Sequence, residues 1–286
     1  MRMFDSPRAR WWLGIGVAAV VGGAIGWWVG RVTAPPRPLA HVVVVAPHRA
    51  IPAAVPAPGP RAPTRHGRLA IVLDDWGYSQ QLVPQVLQLP GPVTLAILPH
   101  RPYSKAIAEA VRGSSCEVIL HMPMESSNAH SAREPHILTP PMSAAQVRQS
   151  LDEALATVPR AVGVSNHQGS KATEDPVLMR LVLEDLHRRH LLFLDSLSTS
   201  RSVCRDVAHQ VQIPYARRAV FLDNEETPAA VRRQLLRAAA LAQRTGQAVA
   251  IGHDKRVTLQ VLQELMPQLA QEGIEFVRIS EVAAVP

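Results

Sequence analysis

From residue 67 onward the sequence predicts an α/β fold on a parallel sheet, either an irregular (β/α) barrel of seven or eight strands or a doubly wound open sheet. Three observations predict it. Short β-rich runs alternate with stretches of helical period, which is the pattern of βα units. The region 67–286 accommodates seven or eight such units and shows no internal repeat or boundary. Several of the runs also end in Asp or His, and parallel strands share one C-terminal rim, where folds of this kind place their chemistry.

In chain order, strands are expected at 69–73, 93–97, 117–120, 161–165, 191–194, 219–222, 248–251 and 275–278, where apolar and β-branched residues cluster. Between them, Val147, Leu151, Ala154, Leu155 and Val158 step by three or four and mark the buried stripe of a helix. Leu178, Leu181, Val182 and Leu186 do the same before the strand at 191, and Leu262, Leu265, Met266 and Leu269 before the strand at 275. Thr227 followed by Pro228 reads as an N-cap and a first-turn proline. Cys116 precedes a strand and Cys204 lies in a helical stretch, so both are expected as free buried thiols.

The net charge of +7 first points to a nucleic-acid partner. Its distribution removes that reading. Residues 1–66 hold eight Arg against Asp5 alone, whereas 67–286 holds 22 basic and 22 acidic residues, so the predicted domain is neutral. The excess flanks Trp11–Gly30, which has no charged residue and carries paired Trp at both ends. About 20 apolar residues span a bilayer as a helix, and Trp favours its interfaces. The expected layout is a short cytoplasmic tail at 1–10, a retained single-pass anchor at 11–30 with its N-terminus inside, and a domain in the periplasm. Residues 31–66, dense in Pro and Ala, form the tether, which reaches on the order of 100 Å when extended.

Each polar strand end has an ordinary reading and a functional one. Asp74-Asp75 resembles a helix-capping pair, yet adjacent carboxylates repel one another unless a cation or hydrogen bonds compensate. His121 and Glu125 stand four apart, which brings two ligands together on a helical turn, although Pro123 disturbs that geometry. Asn166-His167-Gln168-Gly169-Ser170 is a polar cluster directly after an apolar run, where no core role exists for it. Asp195-Ser196 and Gly252-His253-Asp254 repeat the placement. One such His is ordinarily a hydrogen-bonded cap, but several on one rim point to a shared site for a divalent metal.

Taken in order, Ile71 to Tyr78, Leu120 to Glu125, Gly163 to Ser170, Phe193 to Ser196, Val220 to Asn224 and Ile251 to His253 resemble the divergent polysaccharide deacetylases. These are a distant branch of the NodB-type metal-dependent deacetylases. The resemblance covers all of 67–286 and implies a distorted (β/α) barrel that removes acetyl groups from sugars. Carried over by position, Asp74 resembles the general base and Asp75 a metal ligand. His121 corresponds to the first histidine of a His-x-x-x-His metal pair whose second member is here Glu125, and His167 is an alternative ligand. His253 resembles the acid that protonates the leaving amine, and Asp195 the carboxylate that orients it.

The expected activity is hydrolysis of an amide or ester on a carbohydrate polymer of the cell envelope, assisted by Zn²⁺ or by Co²⁺ or Mn²⁺. Peptide or phosphoester cleavage is a competing chemistry for the same residue types. A non-enzymatic alternative is a tethered glycan- or metal-binding module, favoured by Glu125 and by the absence of the parent family's arginine motif. Asp74, Asp75, His167, Asp195 and His253 together oppose it, since binding alone would not need an acid and a base on opposite strands.

Overall fold

A computed structural model describes residues 66–128 and 136–286, so the expected tail and anchor, and all of the tether but its last residue, lie outside the described residues. Among the described residues no helix is long and apolar enough to cross a membrane. The strands are β1 (Gly67–Trp76), β2 (Thr94–Ile97), β3 (Glu117–Met124), β4 (Gly163–Gln168), β5 (Leu192–Asp195), β6 (Tyr215–Arg217), β7 (Val220–Phe221), β8 (Gln247–His253) and β9 (Ile274–Val277). The helices are α1 (Val83–Val86), α2 (Ser104–Ala110), α3 (Ala144–Thr157), α4 (Pro176–Arg188), α5 (Cys204–Val211), α6 (Pro228–Thr245), α7 (Arg256–Gln271) and α8 (Ile279–Val282). Their starts are chemically marked: Ser143 forms a capping box with Gln146, Asp175 caps ahead of Pro176, and Thr227 caps ahead of Pro228.

All strand pairs are parallel, in the order β6-β5-β4-β3-β2-β1-β8-β7, with β9 added beside β1. The two ends of that order, β6 and β7, are separated by only Arg218 and Ala219. Two residues span at most about 10 Å, so the sheet must curl until its edges nearly meet. One extended segment forms the seam, its first half paired with β5 and its second with β8. The result is a curled, irregular (β/α) barrel rather than an open doubly wound sheet. Nine strands replace the expected seven or eight because 215–217, too short and polar to stand out in sequence, pairs as β6.

Side-chain alternation sorts the core into two parts. Ala70, Val72, Ile119, Leu192, Leu194, Val249 and Ile251 fill the barrel interior, and Ile279 and Val282 of α8 join them from the end where the strands begin. Leu69, Ile71, Leu73, Leu120, Val164 and Phe193 face outward to the helices, meeting Leu151, Leu183, Leu235 and Leu262. Cys204 is buried and Cys116 half-buried, both free. Gly67 is needed for close packing, because a Cβ there would lie 2.5 Å from the α6 backbone at Ala242 and Gln243. Gly67→Ala should therefore destabilise the domain by about 1–3 kcal/mol in denaturant unfolding, and an unchanged midpoint would show that α6 yields.

Candidate active site and metal centre

The site lies at the C-terminal rim and is built by the same alternation. Asp74 continues the inward parity of Ala70 and Val72, and it pairs in register with His253 at the end of β8. His121 follows Ile119 inward on β3, while Ser165 and His167 share the inward face of β4. Asp75 would face outward on a regular strand. Instead it adopts φ 68°, and the β1–β2 register shifts between Leu73 and Trp76. A bulge at a strand end re-aims a side chain, and Asp tolerates the left-handed region better than most residues. Two consecutive carboxylates thereby reach one site.

Asp75 Oδ1, His121 Nε2 and His167 Nδ1 converge. The carboxylate oxygen lies 3.0 Å from His167 Nδ1 and 3.4 Å from His121 Nε2, and the two nitrogens are 3.2 Å apart. Ligand atoms about 2.1 Å from one Zn²⁺ at tetrahedral angles stand about 3.4 Å apart, so this triangle has the size of one face of a metal polyhedron. Asp75 Oδ1 is buried without an aligned hydrogen bond, as an oxygen reserved for a cation would be. Two imidazoles and a carboxylate suit Zn²⁺, Co²⁺ or Mn²⁺. His121 Nδ1 meets Ser165 Oγ at 2.7 Å, which fixes the ring with Nε2 toward the triangle.

Burial alone would raise the Asp75 carboxyl pKa, but the two neighbouring imidazoles override it and hold the group well below the usual range. Asp74 is raised, because burial outweighs the attraction of His121, 3.5 Å away, and Asp75 adds repulsion. Burial would lower His121, yet Asp74 and Asp75 reverse that and raise it.

Opposite stands a His–Asp pair. Asp223 Oδ1 lies 2.7 Å from His253 Nδ1, and its Oδ2 accepts from the His253 backbone N–H at 2.8 Å and from Thr258 Oγ1 at 2.6 Å. Gly252 permits this approach, since a Cβ would sit 2.9 Å from Thr258 Cγ2 and 3.3 Å from Asp223 Oδ2. His253 Nε2 is left facing the site, 4.0 Å from Asp75 Oδ2. Burial opposes charging the imidazole, but Asp223 overcomes it and raises the His253 pKa. The ring stacks on Phe221 with centroids 6.0 Å apart, and the Arg218 guanidinium lies 3.8 Å from the centroid of the same Phe221 ring.

Two expected residues are not brought into these groupings. Asp195 does not orient His253. Its parity is that of outward-facing Phe193, and its carboxylate accepts from Leu197 N–H, Ser202 Oγ and Tyr215 OH on the helical side of the sheet. Glu125 is likewise outside the triangle, because β3 ends at Met124 and the carboxylate pairs with Lys171 at 2.7 Å. The sequence reading missed the role of Asp223, although it ends the apolar run 219–222 as Asp74 and His253 end theirs. If Lys171 rather than a cation claims Glu125, Glu125→Gln should change affinity for Zn²⁺ by less than about tenfold. A loss as large as that of an Asp75 variant would return Glu125 to the ligand set.

Asp254 adjoins the site, and burial followed by the charge of Asp75 pushes its carboxyl up to about 7. With Ser79, Gln81, Leu82 and Arg256 it lines a cavity of about 230 Å³ next to the C-terminal rim.

Comparison with known proteins agrees with this architecture. The family model for divergent polysaccharide deacetylases matches residues 71–283. The chain is 35% identical over 225 residues to the uncharacterized protein YibQ of Escherichia coli K12, covering 79% of this chain and 70% of that one. It is 35% identical over 205 residues to an uncharacterized Haemophilus influenzae protein, covering 72% of this chain and 73% of the relative. The crystal structure of an uncharacterized Agrobacterium tumefaciens protein superposes with a TM-score of 0.73 at 26% identity, covering 78% of this chain and 92% of that structure. With a family match that spans every residue of the candidate site, this chain belongs to the divergent polysaccharide deacetylase family.

Proposed function

We propose that the protein is a metal-dependent hydrolase that removes acetyl groups from N-acetylated or O-acetylated sugars of an envelope carbohydrate. The observation that carries this reading is the convergence of Asp75, His121 and His167, with Asp74 on one side and the Asp223–His253 pair on the other. A bound divalent ion, held by Asp75, His121 and His167, would polarise the acyl oxygen and acidify water in the site. Asp74 takes the proton of the attacking water. Its buried carboxyl is raised in the protein alone, and a cation beside it favours the ionised form that a base requires. His253 donates through Nδ1–H to Asp223, and as the imidazolium it carries a second proton on Nε2, which it delivers to the departing nitrogen or oxygen. The polar cavity at Asp254 offers hydroxyl-bonding groups beside the scissile bond.

The test is acetate release from acetylated glycans by the purified chain loaded in turn with Zn²⁺, Co²⁺ and Mn²⁺. Release sensitive to a chelator supports the reading. Saturable glycan binding without acetate under any metal would favour the binding module instead. We further propose that the domain works outside the cytoplasm, tethered by Trp11–Gly30. A reporter fused after Pro286 should be active only on the extracytoplasmic side, and cytoplasmic activity would overturn that topology.

A further inference from the structure

A second cavity lies at the other end of the barrel, where β3 and β4 begin. It measures about 230 Å³ and has an apolar floor of Ala108, Val111, Val118 and Val162. Around it stand Arg112 from the turn after α2, Arg160 from the turn before β4, and Arg278 at the end of β9. We propose that this cavity is a binding site for a phosphate-bearing ligand with a short carbon portion.

Three arginines from three separate segments line one cavity. Among the described residues none of the three forms a carboxylate ion pair, and Arg278 Nε bonds only the Ser115 carbonyl at 3.2 Å. The acidic group that shares the lining, Glu117, is already taken up: its carboxylate accepts from Ser280 Oγ at 2.5 Å and Ser280 N–H at 3.1 Å. The single carboxylate of Glu117 only partly offsets three arginines, so the lining keeps a net positive charge, and an anion placed among them relieves the remaining repulsion. Arginine's planar fork matches the oxygens of a phosphate bidentately, which makes phosphate the favoured anion over a simple halide. The apolar floor then accepts the adjoining carbon atoms. Four residues of β3, about 13 Å, separate Glu117 here from His121 at the metal triangle, so the two sites are distinct. The inference does not depend on hydrolase activity.

Phosphate chemistry of this kind comes either from a lipid headgroup or from a soluble phosphate ester. Titration calorimetry on the full chain would use inorganic phosphate, glycerol 3-phosphate and dihexanoyl phosphatidylglycerol as probes. Saturable binding that weakens with added salt is expected. A preference of about tenfold or more for the lipid assigns the site to a headgroup, and the reverse preference assigns it to a soluble ester. Arg112→Gln and Arg160→Gln, both at exposed positions, should each weaken binding about tenfold while leaving bound Zn²⁺ and the unfolding midpoint unchanged. Absence of saturable binding by all three probes, or unchanged affinity in the Arg112→Gln, Arg160→Gln double variant, would overturn the proposal.

Discussion

Asp75→Ala is expected to lower the affinity of the protein for Zn²⁺ by at least about 100-fold, and His121→Ala and His167→Ala should do the same. Each removes one corner of a triangle whose edges are 3.0, 3.2 and 3.4 Å, and no other carboxylate or imidazole among the described residues completes it. Ser165→Ala should cost about 10–100-fold by freeing His121 Nδ1 from its 2.7 Å partner, since the ring then loses its fixed orientation. Metal content after dialysis against graded chelator measures all four. Stoichiometric metal in Asp75→Ala or His121→Ala would remove the site from consideration, whatever the activity.

His253→Ala and Asp223→Asn should each reduce deacetylation by about 10²–10⁴-fold with metal content retained. The two differ in their pH dependence. In the intact protein Asp223 raises the His253 pKa, so the protonated acid persists above the ordinary histidine range. Removing the Asp223 charge lowers that pKa, and the alkaline limb of the residual activity in Asp223→Asn should move to lower pH. Asp195→Asn separates this pair from the earlier expectation. That carboxylate is fully buried and accepts three hydrogen bonds remote from His253, so its loss should lower stability and leave the alkaline limb in place. A shifted limb in Asp195→Asn and none in Asp223→Asn would reverse the assignment.

The reasons for success and failure differ from residue to residue. Eight strands and the stripes of α3, α4 and α7 were legible because burial on one or two faces imposes a period on the chain. Asp74, His121, His167 and His253 were legible because a polar group immediately after an apolar strand has no place in a core. Asp195 satisfies the same rule and still lies elsewhere, since the rule locates a strand end without giving the face of the sheet. Counting alternation from Phe193, which packs against the helices, places Asp195 outward, but which parity faces inward is known only once the sheet has curled. Glu125 failed for a related reason: the four-residue spacing assumed a helical turn, whereas β3 runs extended through Met124.

By itself the sequence determined the order of βα units, the neutrality of 67–286, the rim that carries the candidate site and most of the polar groups there, because these follow from periodicity and composition along one chain. Tertiary structure alone decided that Asp75 turns inward through a left-handed residue at a bulge, that Asp223 rather than Asp195 holds His253, and that Lys171 claims Glu125. Those outcomes depend on which strands become neighbours and which face each residue presents. Pairing between segments far apart in sequence sets both, and no local pattern records it.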